Sequence, residues 1–124
     1  MLVPEEVTKQ IIAGAIEVHK KFGAGLLESA YEACLSHELT LRGLRVQRQV
    51  PLPIEYKGVR LDCGYRIDMI VEDTVLVELK AIEKLLPIHE AQLLTYLRIS
   101  GKRVGLLINF NVKLLVDGIV RRVI

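Results

Sequence analysis

The stretch Tyr65-Arg66-Ile67-Asp68-Met69-Ile70-Val71, followed by Glu72-Asp73-Thr74 and Val75-Leu76-Val77-Glu78-Leu79-Lys80, decides the reading of this chain. Both apolar runs alternate with period two, the mark of β-strands, and acidic turn residues separate them. In the second run Val75, Val77 and Leu79 share one face, and Leu76, Glu78 and Lys80 share the other. In the first, Ile67, Met69 and Val71 share a face, with Arg66, Asp68 and Ile70 opposite. Bringing the two wholly apolar rows together requires pairing of equal parity, which excludes a two-residue loop and predicts the odd loop 72–74. The same register sets Asp68 directly opposite Glu78, or diagonal to it after a slip of two. Opposed side chains have Cβ atoms about 4.5–5.5 Å apart. Two carboxylates at that spacing repel unless they share a proton or a cation. Hard oxygen donors of this kind suit Mg²⁺ or Mn²⁺. Lys80 shares the face with Glu78 and can steady a metal-bound water or a phosphate oxygen. In the direct register Arg66 would face Lys80, an awkward cationic pair unless an anion or carboxylate sits between them; the competing reading is a solvated charged face.

Working outward, the flanking segments read as helices and further strands. Val7, Ile11, Ile12, Ala15, Val18 and Phe22 recur at helical spacing, predicting a helix over residues 4–21. Pro4 suits its first turn, and Glu5 and Glu6 complement its dipole. After Gly23-Ala24-Gly25 a second helix carries Leu27, Ala30, Tyr31, Cys34, Leu35 and Leu41 and stops near Gly43. Residues 46–56 read as a strand confined to a sheet edge or a bend by Pro51 and Pro53. Lys57-Gly58 turns the chain into a return strand over 59–71, with Gly64 as a possible bulge. Pro87 opens a helix that Gly101 closes, and residues 104–108 form an apolar run suited to a strand covered on both faces. Asp117-Gly118 predicts a terminal hairpin between residues 113–116 and 119–124. The expectation is one α/β domain over residues 1–124, in the order α, α, β, β, β, α, β plus a C-terminal hairpin.

Composition bounds the function. The 124 residues suffice for one core, and 51% hydrophobic with 26% charged residues is the balance of a globular fold. A net charge of +2 is too small for a protein that lives by non-specific phosphate attraction, so any nucleic-acid contact must be local or shared with a partner. Cys34 and Cys63 stand far apart, outside any CxxC pattern, which speaks against a metal finger and for two small core residues in a reducing compartment. The acidic start lacks the features of a secretory signal, and no apolar run approaches the ~18 residues of a membrane span. A cytoplasmic protein without membrane contact is the expectation. The edge near residues 51–54 and the terminal hairpin are the two surfaces on which a homodimer would form.

Two further constellations complete the pattern: Gly25-Leu26-Leu27-Glu28-Ser29-Ala30-Tyr31, and His89-Glu90-Ala91-Gln92-Leu93-Leu94-Thr95-Tyr96-Leu97. With Asp68, Glu78-Leu79-Lys80 and Asn109-Phe110, they resemble the GxxExxY family, small proteins assigned to the PD-(D/E)XK nuclease superfamily. The resemblance runs from about Val7 to the C-terminus. It implies a restriction-endonuclease-like core, a mixed central sheet flanked by helices. It implies Asp68, Glu78 and the Leu79 backbone carbonyl as metal ligands, Lys80 as the catalytic lysine, and Glu28 as an additional acid that binds metal directly or through water. It implies that Gln92 and Tyr96 line the same cleft and touch substrate phosphate. The activity implied is Mg²⁺- or Mn²⁺-dependent hydrolysis of nucleic acid. The rivals are a catalytically silent module of the same fold that binds nucleic acid or a protein partner, and a structural ion-pair network. Simpler roles stand beside these: Glu28 complementing a helix dipole, Tyr31 in the core, His89 in a first turn, Asn109 bonding a turn.

Overall fold

The computed structural model describes residues 2–124. Helix α1 spans Pro4–Phe22 and α2 Glu28–Leu41, and five strands follow: β1 Val46–Pro51, β2 Ile54–Tyr56, β3 Val59–Leu61, β4 Arg66–Val71 and β5 Val75–Lys80. Helix α3 is Pro87–Ser100, β6 Val104–Asn109, and a 3₁₀ turn at Leu115–Gly118 leads into β7, Ile119–Val123. The main sheet has the order β1-β4-β5-β6-β7, and β2 and β3 form a separate two-stranded ribbon. Strands β5 and β6 are parallel and the other neighbours antiparallel, so the sheet is mixed.

The mixed topology follows from the connections. The β4–β5 loop is short and returns the chain antiparallel, whereas β5 reaches β6 through α3, a crossover that yields parallel strands. Val77 and Leu106, partners in that parallel pair, are both fully buried. Helices α1 and α2 cover one face of the sheet, packing Val7, Ile11, Tyr31 and Leu35 on Met69, Val77 and Leu106. Helix α3 covers the other, packing Leu93 and Leu97 on Ile70, Leu76 and Leu107. Each such side chain contributes about 1.5–3 kcal/mol on burial. The Tyr31 ring stacks on Phe110 at 4.3 Å and 9°, joining α2 to the end of β6.

Four expectations change. The strand predicted over 46–56 is two: the Leu52 N–H carries the β1–β4 ladder one step further, onto the Tyr65 carbonyl (2.9 Å), and the pairing ends at Pro53, which has no N–H to donate. The return segment over 59–71 is likewise divided, β3 and β4 being separated by an exposed stretch that includes Cys63. Cys63 is therefore no core residue, and Cys34 is half-buried. The terminal hairpin does not form. Residues 119–123 pair with β6 instead, and the Asp117-Gly118 turn is part of the 3₁₀ segment. Pairing with β6 satisfies the second edge of a strand buried along its whole length. Gly118 permits this approach, since a Cβ there would lie 2.2 Å from the Asn109 carbonyl oxygen.

A candidate metal and phosphate site at the end of the β4–β5 hairpin

Val71 pairs with Val75, Ile70 with Leu76 and Met69 with Val77, across a loop of three residues. This is the equal-parity register the apolar rows require. Continued by one step it would pair Asp68 with Glu78, but the backbone ladder stops there and side chains take over. The Asp68 N–H donates to Glu78 Oε2 (2.8 Å), and the Leu79 N–H donates to Asp68 Oδ2 (2.8 Å). These crossed bonds hold the two carboxyl groups side by side. Arg66 does not face Lys80 as the extrapolated register implied. It pairs with Pro51, because β4 has already parted from β5.

A second departure explains the parting. Gln49 has φ +50°, a left-handed conformation that costs a non-glycine residue about 1–2 kcal/mol. Neither Gln49 nor Asp68 appears in the β1–β4 pairing, which runs to Arg48↔Met69 and resumes at Val50↔Ile67. Val46, Met69 and Val71 pack beneath α1 and α2, whereas Val50 and Ile67 pack on the α3 side. Both strands thus change face at this point. Ile67 does not share the face of Met69 and Val71, as strict alternation predicts, and Asp68 occupies the step where the alternation breaks.

Glu78 is only 7% exposed. Burial, then the Asp68 charge, pushes its pKa up to about 8, against relief from the Asp68 N–H and the Lys80 ammonium. Glu28 opens α2, and burial raises its pKa as well; Lys80 and the Ala81 N–H act to lower it. Lys80 and Asp68 therefore each act electrostatically on both Glu28 and Glu78. Asp68 and Glu78 are joined by their crossed bonds, Glu28 shares a cleft with Asp68, and Lys80 lies within electrostatic reach of both glutamates. With Leu27, Ser29, Glu32, Gln49 and Asp68, Glu28 lines an open cleft of about 660 Å³.

Tyr31 fixes the start of α2. Its hydroxyl donates to the Gly23 carbonyl (2.5 Å) and accepts from the Leu26 N–H (3.1 Å), tying down the turn just before Glu28. Gln92 and Tyr96 lie one turn apart on α3, and the Gln92 Nε2 donates to the Tyr96 hydroxyl (2.9 Å). They line a neighbouring groove of about 240 Å³ with Ile54 and Tyr65, not the acidic cleft itself. Burial raises the Tyr96 pKa, the Gln92 hydrogen bond lowers it, and the charges of Glu78 and Asp68 raise it further. His89 has the simpler role: its Nδ1 accepts from the Leu86 N–H (2.8 Å) at the head of α3. Asn109 exchanges two hydrogen bonds with the Ile82 backbone and pins the loop after Lys80.

Glu32 and Gln49 were not singled out by the sequence reading. Glu32 is 7% exposed and receives Arg48 (Nε to Oε2, 3.0 Å) and Gln49 (Nε2 to Oε1, 2.6 Å). Its place one turn after Glu28 was the available signal; Gln49, a polar residue on an edge strand, gave none.

The donor set suits a hard divalent ion. Asp68 and Glu78 each commit one oxygen to a backbone N–H, and of their other oxygens Asp68 Oδ1 receives only a long contact from Gln49 (3.4 Å). A strand residue directs its N–H and C=O to the same side, so the Leu79 carbonyl faces the same gap between β4 and β5 as its N–H. Among the described residues, no three His, Cys, Asp or Glu side chains form a ready-made metal cluster. The fit is thus two carboxylates and a carbonyl, with Glu28 across the cleft.

A mixed five-stranded sheet with helices on both faces, and an acidic pair where its central hairpin opens, defines a restriction-endonuclease-like α/β fold. A family model matches residues 5–123, and the chain belongs to the PD-(D/E)XK nuclease superfamily, whose nucleases typically use divalent metals. Nothing matches among curated proteins or among solved structures. No helix among the described residues is long and apolar enough to cross a membrane.

Proposed function

We propose that this chain hydrolyses phosphodiester bonds of nucleic acid with the help of Mg²⁺ or Mn²⁺. The observation that carries the reading is the crossed pair of bonds that confines the Asp68 and Glu78 carboxyl groups together, one of them buried. Asp68, Glu78 and the Leu79 carbonyl would hold the ion, with Glu28 completing its shell directly or through water. When bound, the ion supplies Lewis acidity toward a phosphate oxygen and toward water. The Lys80 ammonium orients the attacking water or stabilises charge on the phosphoryl oxygens. Gln92 and Tyr96, in the neighbouring groove, would contact the substrate backbone. Burial of Glu78 serves the same end: a carboxyl that resists ionisation alone gains most from a cation.

The near-neutral charge of +2 favours one rival, a silent module of this fold that binds nucleic acid or a protein without turnover. Cleavage assays with Mg²⁺ on single-stranded, duplex and branched substrates separate the two. Asp68→Asn and Glu78→Gln should each abolish cleavage while leaving the fold intact. Cleavage by either variant at the wild-type rate rules out the assignment.

A further inference from the structure

We infer that Gln49, held by Glu32, is a positioning residue for the Asp68 carboxylate, and that the left-handed backbone at Gln49 serves to aim its amide there. The inference deepens the proposed function and rests on it for its chemical consequence. Asp68 Oδ2 is engaged by the Leu79 N–H, which leaves Oδ1 as the oxygen without a backbone donor. The one side-chain donor to Oδ1 is the Gln49 amide, at 3.4 Å. A contact that long orients little by itself. The same nitrogen, however, donates to Glu32 Oε1 at 2.6 Å, and the other Glu32 oxygen is bound by Arg48. The amide is therefore anchored on α2 and reaches Asp68 from a fixed point.

The backbone completes the device. In regular alternation Gln49 would pair with Asp68 across the ladder, as Arg48 does with Met69 and Val50 with Ile67. Instead both residues drop out at the step where the two strands change face. That break frees the Asp68 N–H to bind Glu78 and sets the Gln49 side chain over the cleft it shares with Glu28 and Glu32. Arg48 balances the Glu32 charge, so the anchor brings no uncompensated anion beside the pair.

The test uses the full chain with Gln49→Gly, Glu32→Ala and Glu32→Gln. Glycine removes the amide yet suits φ +50°, so the relieved backbone offsets most of the lost bond to Glu32 and Gln49→Gly should remain folded, with a melting temperature close to that of wild type. Its Mn²⁺ affinity by calorimetry should fall about tenfold, as on loss of other groups that orient metal ligands. The Mg²⁺ concentration for half-maximal cleavage should rise in parallel. Glu32→Ala should show the same loss, and Glu32→Gln, which keeps an acceptor for Gln49, should stay within about threefold of wild type. Gln49→Gly or Glu32→Ala with wild-type Mn²⁺ affinity overturns the inference. A metal-free reading separates it from the proposed function: hydrogen exchange at the Leu79 amide, which donates to Asp68, should accelerate in Gln49→Gly. If wild type binds no Mn²⁺, the proposed function fails, and this exchange alone decides the positioning role. Unchanged protection at Leu79 then overturns it.

Discussion

Replacing Glu78 with glutamine should stabilise the metal-free protein at neutral and alkaline pH and leave it nearly unchanged in acid. Folding raises the Glu78 pKa from 4.5 to about 8, chiefly through burial and then through the Asp68 charge. A group that holds its proton more tightly in the folded state favours folding while that proton is in place. Its contribution is complete below the unfolded pKa of 4.5 and is lost as pH rises toward 8. At about 1.4 kcal/mol per pH unit the whole span corresponds to about 5 kcal/mol, with roughly 3 kcal/mol gone by pH 7. Glutamine keeps an oxygen for the Asp68 N–H and carries no charge at any pH. Urea denaturation of wild type and Glu78→Gln in chelator, from pH 4 to 9, should therefore show no difference at the acid end and a gap that widens to a plateau above pH 8. Adding Mg²⁺ at pH 8 should restore wild type and leave the variant unmoved. A stability difference that stays constant across this range would refute the claim that the Glu78 carboxyl is strained by its surroundings.

Two other substitutions probe the site and its support. Lys80→Met removes the ammonium acting on Glu28 and Glu78, and kcat for Mg²⁺-dependent cleavage should fall about 10²–10³-fold; steady-state kinetics within threefold of wild type would take Lys80 out of the chemistry. Tyr31→Phe deletes the hydroxyl that joins Gly23 to Leu26 ahead of Glu28, which should cost about 1–2 kcal/mol in urea denaturation; an unchanged midpoint would show that the turn holds itself.

Much of this arrangement was legible before any coordinates. The helix ends at Pro4, Pro87 and Gly101 follow from residues with restricted or permissive backbones. An odd loop such as Glu72-Asp73-Thr74 follows from matching two apolar rows, and that match put Asp68 opposite or diagonal to Glu78. Where the reading failed, distant partners decided. Nothing between residues 113 and 124 says that the last strand joins β6 rather than its own neighbour, because the demand for a partner belongs to β6. Ile67 is read wrongly by alternation because the change of face is imposed jointly with Gln49, nearly twenty positions away.

The sequence by itself determined the hairpin, its register and the pairing of two acids, since periodicity and loop parity are local properties that burial makes unambiguous. Only the tertiary structure decided that Glu28 from α2 comes within electrostatic reach of Asp68 and Lys80, that Glu32 anchors Gln49, and that Glu78 is buried deeply enough to resist ionisation. Those facts depend on how two helices seat against a twisted sheet. Seating is settled by the packing of the whole core, and no short stretch of residues encodes it.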